Sequence, residues 1–223
     1  AYEVSRTLNF SPKTIQTPLG VKEVETYDDH IVVGTVLRAG LAFHEGFIDV
    51  FDQADSAFVA AYREEGKKEN LKIHLEYLAA PQLDGSTFLM VDPMLATGGS
   101  LELAYKAFLN NGTPKKLHIC VVIAAEEGIA HLQKCFPSDD VTLWTAAIDP
   151  CLNDDAYIVP GLGDAGDLSF GQNQLEVKPA TRLFDQPASS SSAHPSSRTA
   201  FLISQNSGYT QPISPFLSLS RVF

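Results

Sequence analysis

The chain has 223 residues, of which 44% are hydrophobic and 19% charged, and it is long enough for one α/β domain of ordinary size, with a sizeable core, or for two small domains. No apolar stretch approaches the roughly 18 residues that cross a bilayer, which argues against a transmembrane protein. The formal net charge of -11 at pH 7 disfavours binding to nucleic acid or to an anionic membrane, because both need a basic surface.

The spacing of cysteines and histidines predicts no metal site. Cys120, Cys135 and Cys151 are odd in number and contain no CxxC pair, so they predict neither a disulfide framework nor a four-ligand zinc site. HxH and HExxH spacings are also absent, which favours packing or surface roles for His44, His74, His118 and His131. The first residues show no secretory signal, and the sequence predicts a cytoplasmic protein with reduced thiols.

Short, almost continuous apolar runs recur along the first 172 residues and are typical of strands buried on both faces. They cover residues 31–37, 56–62, 87–91, 117–124 and 141–147. Apolar residues at helical spacing predict helices at residues 100–111 and 127–135. Because strands and helices alternate, we expect an α/β fold with a mostly parallel sheet flanked by helices, and a ligand beyond the carboxyl ends of the strands.

The pattern changes between residues 64 and 81. A polar turn at residues 64–70 precedes alternating apolar and polar residues at 72–77, which is typical of a strand with one solvated face. We therefore expect an antiparallel arm that lies outside the main sheet.

The composition changes again near Gly171. Residues 173–223 contain 11 serines and 5 prolines and carry a net charge of +2, whereas residues 1–172 carry -13. Sequence of this kind cannot bury enough apolar surface to offset the entropy lost on ordering. The sequence therefore predicts one domain at residues 1–172 and a largely disordered tail at 173–223.

The most informative motif is VDPMLATGGS at residues 91–100, where a buried strand ends and a helix begins. Small residues at such a junction let backbone N–H groups converge on an anion, and the helix adds its positive N-terminus. Thr97 and Ser100 add hydroxyl donors, and Asp92 is placed to accept sugar hydroxyls or a metal-bound group. An ordinary turn capped by Ser100 would explain the glycines and the serine, but not Asp92.

This motif closely resembles the ribose-5-phosphate loop of uracil phosphoribosyltransferases, and the resemblance extends from Tyr2 to about Gly171. It implies a type I phosphoribosyltransferase fold with an antiparallel arm and a small carboxyl-terminal hood around residues 150–171. It also implies that phosphoribosyl pyrophosphate (PRPP) binds to Asp92, Pro93, Met94, Leu95, Ala96, Thr97, Gly98, Gly99 and Ser100.

Three further segments resemble motifs of the same family, in the same order along the chain. TVLRAG at residues 35–40 resembles its pyrophosphate loop, which implies a diphosphate contact through Arg38 and a strained or cis peptide bond in this turn. AYR at residues 61–63 implies a second diphosphate contact through Arg63. Residues 157–167 resemble the uracil-binding segment, which implies a base site formed by Ile158, Gly163, Asp164 and Ala165, with Asp164 also binding PRPP.

The last segment contains a formal GxGxxG pattern at residues 161–166. A dinucleotide-binding fingerprint would follow a strand early in a βαβ unit, but here Pro160 precedes the glycines and the serine-rich tail follows. The glycines instead favour the reading of a flat polar ring by backbone groups, which suits the acceptor, donor, acceptor edge of uracil.

The resemblance implies conversion of uracil and PRPP to UMP and pyrophosphate in pyrimidine salvage. Catalysis would consist mainly of positioning and charge stabilisation, and we assign it to Arg38, Arg63 and Asp164. The implied cofactor is Mg²⁺, bound through the pyrophosphate and not by direct protein ligands. We also expect a homodimer or a larger homo-oligomer.

Two other functions stay open from the sequence: a non-catalytic nucleotide sensor and a phosphoribosyltransferase for another base. Considered singly, Arg38 could cap a strand end and Arg63 could pair with Glu64, so their weight comes from the shared pattern. The family normally has a helical segment before the position of Ala1 and ends soon after residue 171. The resemblance therefore implies a truncated start and an additional tail.

Overall fold

The computed structural model describes residues 1–63, 73–136, 140–172 and 220–221, with backbone alone for residues 61–63, 73–76 and 220–221. The strands are β1 (Phe10–Thr17), β2 (Gly20–Tyr27), β3 (Ile31–Leu37), β4 (Asp55–Arg63), β5 (Ile73–Ala79), β6 (Thr87–Leu95), β7 (Lys116–Ala125), β8 (Val141–Asp149), β9 (Cys151–Leu152), β10 (Ile158–Val159) and β11 (Ser220–Arg221). The helices are α1 (Tyr2–Ser5), α2 (Leu41–Ile48), α3 (Gly99–Phe108), α4 (Glu126–Cys135) and α5 (Ala165–Phe170), and a 3₁₀ turn spans Leu109–Asn111.

A mostly parallel sheet forms the centre of the protein, with the strand order β11-β8-β7-β6-β3-β4-β5. Strands β4, β3, β6, β7 and β8 run parallel, whereas the edge strands β5 and β11 are antiparallel to their neighbours. The predicted α/β class is therefore confirmed. Parallel pairing brings the carboxyl ends of β3 and β6 to the same edge of the sheet.

The central strands are buried on both faces, as their continuous apolar runs predict. Phe88 and Met90 of β6 belong to a core that includes residues of α3 and α4. Leu89 and Val91 of the same strand belong to a second core that includes residues of α1 and α2. All four side chains are fully buried, so each helical layer covers one face of the sheet.

Antiparallel pairing within residues 64–81 is confirmed, because β5 pairs antiparallel with β4. Its predicted position outside the sheet is wrong, because β5 is the edge strand of the main sheet. Alternation of apolar and polar residues is equally typical of an edge strand with one solvated face, so the pattern alone does not separate the two positions. The polar turn at residues 64–70 lies outside the described residues.

The apolar pattern does not predict the hairpin of β1 and β2 or the short helix α2. The hairpin is a separate two-stranded antiparallel sheet, in which Phe10 lies opposite Tyr27 and Thr17 opposite Gly20. Most of its side chains are exposed, and it therefore has no buried face that would produce a hydrophobic period. No helix in the described part of the chain has the length and apolarity that a membrane crossing requires.

The segment predicted to be a disordered tail contains one described element. Ser220 and Arg221 form β11, which pairs with Thr145 and Trp144 of β8. Residues 173–219 and 222–223 lie outside the described residues, so the disorder of the tail stays a prediction.

Gly34→Ala should destabilise the protein, because a Cβ at this position in β3 would overlap the buried ring of Phe88. That ring stacks edge-on against Phe108 at a centroid distance of 5.2 Å and has little room to move. We expect a loss of about 1–3 kcal/mol in the free energy of unfolding, measured by urea denaturation.

Gly46→Ala is the matched control, because Gly46 is exposed within α2 and a Cβ there would meet nothing within 4 Å. Alanine is the better helix former by about 1 kcal/mol, so this variant should be as stable as the parent or more stable. An equal loss in both variants would contradict the packing argument at Gly34.

Candidate active site

A cavity of about 440 Å³ lies at the carboxyl ends of β3 and β6. Its walls come from three segments that are distant in sequence: the β3–α2 connection, the β6–α3 connection and the segment between β9 and α5. The predicted site residues that line it are Arg38, Asp92, Met94, Leu95, Ala96, Thr97, Gly98, Ser100, Gly163, Asp164 and Ala165.

Four predicted site residues are not among those lining residues. Pro93 and Gly99 only flank residues that line the cavity, and the side chain of Ile158 is 3% exposed within β10. The backbone of Arg63 ends β4 opposite Ile73, but its side chain lies outside the described residues. Contacts between a ligand and any of the predicted site residues, lining or not, stay predictions.

The β6–α3 connection is shorter than the motif suggests. β6 continues past Asp92 and still pairs with β7 at Leu95, so the loop consists of residues 96–98 and α3 begins at Gly99. Gly98 has φ +84°, and a Cβ there would lie 2.9 Å from the His131 ring, so this position requires glycine. The first N–H groups of a helix have no partner within it, and those of α3 lie at the cavity, where they can bind an anion.

Arg38 connects the β3–α2 connection to α5. Its Nη2 donates to Asp167 Oδ1 at 2.6 Å, and its Nη1 donates to the Gly171 carbonyl at 2.9 Å. The Arg38 side chain is 37% exposed, so its charge stays accessible beside the cavity. The peptide bond between Leu37 and Arg38 is cis, as expected for this turn.

Asp92 presents a carboxyl group to the same cavity. Burial raises its pKa from 3.8 to about 7, and a hydrogen bond from the Met94 N–H, 3.1 Å long, lowers it by a smaller amount. An ionised carboxylate in this position gains from a hydroxyl donor or a cation. The cavity therefore combines a half-buried acceptor at Asp92 with the positive charge of Arg38.

A turn built on Asn153 shapes the third wall. Its side-chain Oδ1 accepts hydrogen bonds from the N–H groups of Asp155, at 3.0 Å, and Tyr157, at 2.8 Å. Ala156, between these two residues, has a positive φ of 62°. Asp155, Ala156 and Tyr157 all line the cavity, so this turn brings a carboxylate and an aromatic ring to it.

Asp164 caps the N-terminus of α5, where its Oδ1 accepts a hydrogen bond from the Asp167 N–H at 2.8 Å. The cap satisfies an N–H group in the first turn of α5. This turn lies close to Arg38, because a Cβ at Gly166 would be 3.5 Å from the Arg38 guanidinium. Asp164 therefore both lines the cavity and organises the helix that binds Arg38.

Sequence reasoning missed the roles of Asp167, Asn153 and Tyr157. Asp167 stands 129 positions from Arg38 in the chain, and no local spacing indicates that pair. Asn153 does carry a usable signal, because asparagine before a short polar stretch favours an Asx turn.

A short strand-to-helix loop, an arginine and a half-buried carboxyl group lie around one cavity at the carboxyl edge of a parallel α/β sheet. These features are typical of the class of proteins that bind a phosphorylated sugar or nucleotide. A family profile described as uracil phosphoribosyltransferase matches residues 1–172. The chain belongs to the uracil phosphoribosyltransferase family.

Individual relatives agree with this assignment. A uracil phosphoribosyltransferase of Porphyromonas gingivalis is 47% identical over 172 residues, which are 77% of this chain and 79% of the relative. One of Pyrococcus furiosus is 40% identical over 174 residues, covering 77% of this chain and 73% of the relative. The solved structure of the AQ2163 protein from Aquifex aeolicus is similar, with a TM-score of 0.68 and 36% identity over 76% of this chain and 79% of that one.

Asp92→Asn should make the ligand-free protein more stable at pH 8 but not at pH 4. A carboxyl group whose folded pKa is raised costs stability as the pH rises from the unfolded value of 3.8 through the folded value of about 7. Asparagine keeps the shape without the charge, so we expect a gain of roughly 1–4 kcal/mol at pH 8. Thermal unfolding of both proteins between pH 4 and pH 8 measures the difference, and a pH-independent difference would contradict this account.

Proposed function

We propose that this protein transfers the 5-phosphoribosyl group of PRPP to N1 of uracil, which gives UMP and pyrophosphate. The observation that carries the proposal is the single cavity lined by the 96–98 loop, Arg38, Asp92 and the 163–165 segment. The segments proposed to bind the phosphate, the diphosphate and the base all line this one volume, which supports a reaction that needs the three groups close together.

The 5-phosphate would bind at residues 96–98 and the first turn of α3. Backbone N–H groups and the hydroxyls of Thr97 and Ser100 are the available donors, and the helix adds its positive end. Asp92 would accept hydrogen bonds from the ribose hydroxyls. These bonds would replace the hydrogen bonds to water that its carboxyl group loses on burial. The sugar would then be held at both ends while its anomeric carbon stays free to react.

Arg38 would stabilise the leaving diphosphate. Its guanidinium already donates hydrogen bonds to Asp167 and to the Gly171 carbonyl. To bind the diphosphate, it would have to leave these acceptors or donate to both them and the diphosphate oxygens. Negative charge on the diphosphate grows as the bond to the sugar breaks, and a nearby cation stabilises that state more than the ground state. Arg63 would make a second contact of this kind.

The chemistry of the side chains around the cavity suits Mg²⁺. Asp92, Asp155 and Asp164 supply carboxylate oxygens, which are the hard ligands that this ion prefers. The diphosphate would bind the ion directly, and these carboxylates would hold it through water molecules. When bound, the ion would neutralise part of the diphosphate charge.

Uracil would bind between the 163–165 segment and the turn at Asp155 to Tyr157. Backbone N–H and C=O groups of Gly163, Asp164 and Ala165 can match the alternating acceptors and donor of the ring edge. Tyr157, 41% exposed, offers an aromatic surface for the ring. Asp164 would orient the substrates and accept the proton that N1 loses.

A steady-state assay with PRPP, Mg²⁺ and a panel of bases tests the proposal. We expect uracil and 5-fluorouracil to react, since fluorine at C5 leaves the polar edge unchanged. Cytosine should be rejected by a factor on the order of 10⁴, because its amino group replaces an acceptor with a donor.

The other outcomes separate the alternatives. Comparable turnover of cytosine, hypoxanthine or orotate would favour a phosphoribosyltransferase for another base. Binding of PRPP or UMP by calorimetry, without turnover of any base, would favour a nucleotide sensor.

Arg38→Ala should lower kcat/KM for PRPP by roughly tenfold or more, because a charge-assisted contact to phosphate is worth about 1.5–3 kcal/mol. The affinity for UMP should fall less, since UMP has no diphosphate. Arg6→Ala is the matched control, because Arg6 pairs only with the surface residue Glu3, at 3.1 Å, among the described ion pairs. Equal losses for PRPP and UMP would show that Arg38 acts through its contact with α5.

A further inference from the structure

Three side chains that are typical metal ligands lie together where α3 and α4 meet. His131 Nε2 is 2.8 Å from Glu102 Oε2, and Cys135 Sγ is 3.4 Å from His131 Nε2. The three donor atoms all lie within 4.8 Å of one another, and no other such group occurs among the described residues. None of the three lines the cavity.

We propose that Glu102, His131 and Cys135 form a binding site for a divalent transition-metal ion of the zinc type. Carboxylate, imidazole and thiolate are the three ligand types that Zn²⁺ uses in proteins. In a tetrahedral site with Zn–S of about 2.3 Å and Zn–N of about 2.0 Å, neighbouring donors are roughly 3.3–3.6 Å apart. The distances of 2.8 Å and 3.4 Å come close to this, so small side-chain movements would admit the ion.

The spacing in sequence shows only part of this site, and the secondary structure explains why. His131 and Cys135 are four residues apart on α4 and therefore share one helix face. The third ligand comes from α3, 29 positions before His131. Packing of the two helices brings these residues together, whereas most sequence motifs for zinc depend on local pairs of ligands.

The surroundings of Glu102 suit a metal ligand. Lys106 donates to its Oε1 at 2.5 Å, which leaves Oε2 for the ion and holds the carboxylate in place. On binding, the ion would replace the hydrogen bond between Glu102 and His131, and Cys135 would release its proton to solvent.

The site lies next to the loop at residues 96–98. The Glu102 N–H donates to the Gly98 carbonyl at 3.0 Å, and a Cβ at Gly98 would lie 2.9 Å from His131 Cδ2. Glu102 and His131 therefore both contact Gly98, which lines the cavity. An ion held by these ligands would join α3 to α4 and fix the wall on which this loop rests.

Titration of the metal-free full chain, without a histidine tag, with Co²⁺ tests the proposal. We expect one ion per chain with the ultraviolet charge-transfer absorption of a cobalt–thiolate bond, and displacement by Zn²⁺. Cys135→Ser should abolish this absorption, and His131→Gln should weaken Co²⁺ binding by about tenfold or more. Cys151→Ser is the matched control, because Cys151 is exposed and outside the cluster, and it should bind Co²⁺ normally.

Thermal unfolding provides a second readout that needs no activity. Zn²⁺ should raise the melting temperature of the parent chain and of Cys151→Ser, because an ion that binds only the folded state stabilises it. It should not raise that of Cys135→Ser. Absence of the cobalt–thiolate absorption in the parent, or its persistence in Cys135→Ser, would overturn the proposal and leave an ordinary hydrogen-bonded cluster.

Discussion

Burial of both faces of the central parallel strands is the constraint on which the rest of the structure depends. In a strand such as β6, residues 87–91 are fully buried, so their side chains cannot contact a ligand that enters from solvent. Polar side chains of these strands can reach solvent only near the strand ends, and parallel pairing puts equivalent ends at one edge. Asp92 and Arg38 stand just beyond the buried parts of β6 and β3, which is why these two residues share a cavity.

The sequence predicts the buried part of this arrangement well. The run at residues 31–37 coincides with β3, because burial on both faces leaves a continuous apolar signal. The limits of β6 were harder to predict, since the sequence becomes polar at Asp92 while pairing with β7 continues to Leu95. The type of side chain indicates whether a position is buried, but it does not indicate where backbone pairing with the neighbouring strand ends.

The parts that sequence does not predict are those that depend on distant partners or have no buried face. The β1–β2 hairpin is mostly exposed, so its sequence carries no core signal. The contact of Arg38 with Asp167 depends on the path of the chain from β8 to α5, which follows from the packing of the whole domain. The base site at residues 157–167 is assigned only by resemblance, and the resemblance does not indicate the turn at Asn153 that forms part of the cavity wall.

Burial of Asp92 links the lifetime of the protein in a cell to the supply of its ligand. Desolvation raises the pKa of this carboxyl group to about 7, so its ionised form lowers the stability of the ligand-free protein at neutral pH. Any ligand that binds only the folded chain adds to the free energy of unfolding as its concentration rises. Because proteases remove mainly unfolded molecules, a cell poor in ligand would clear this protein faster, and its abundance would follow ligand supply without a change in synthesis.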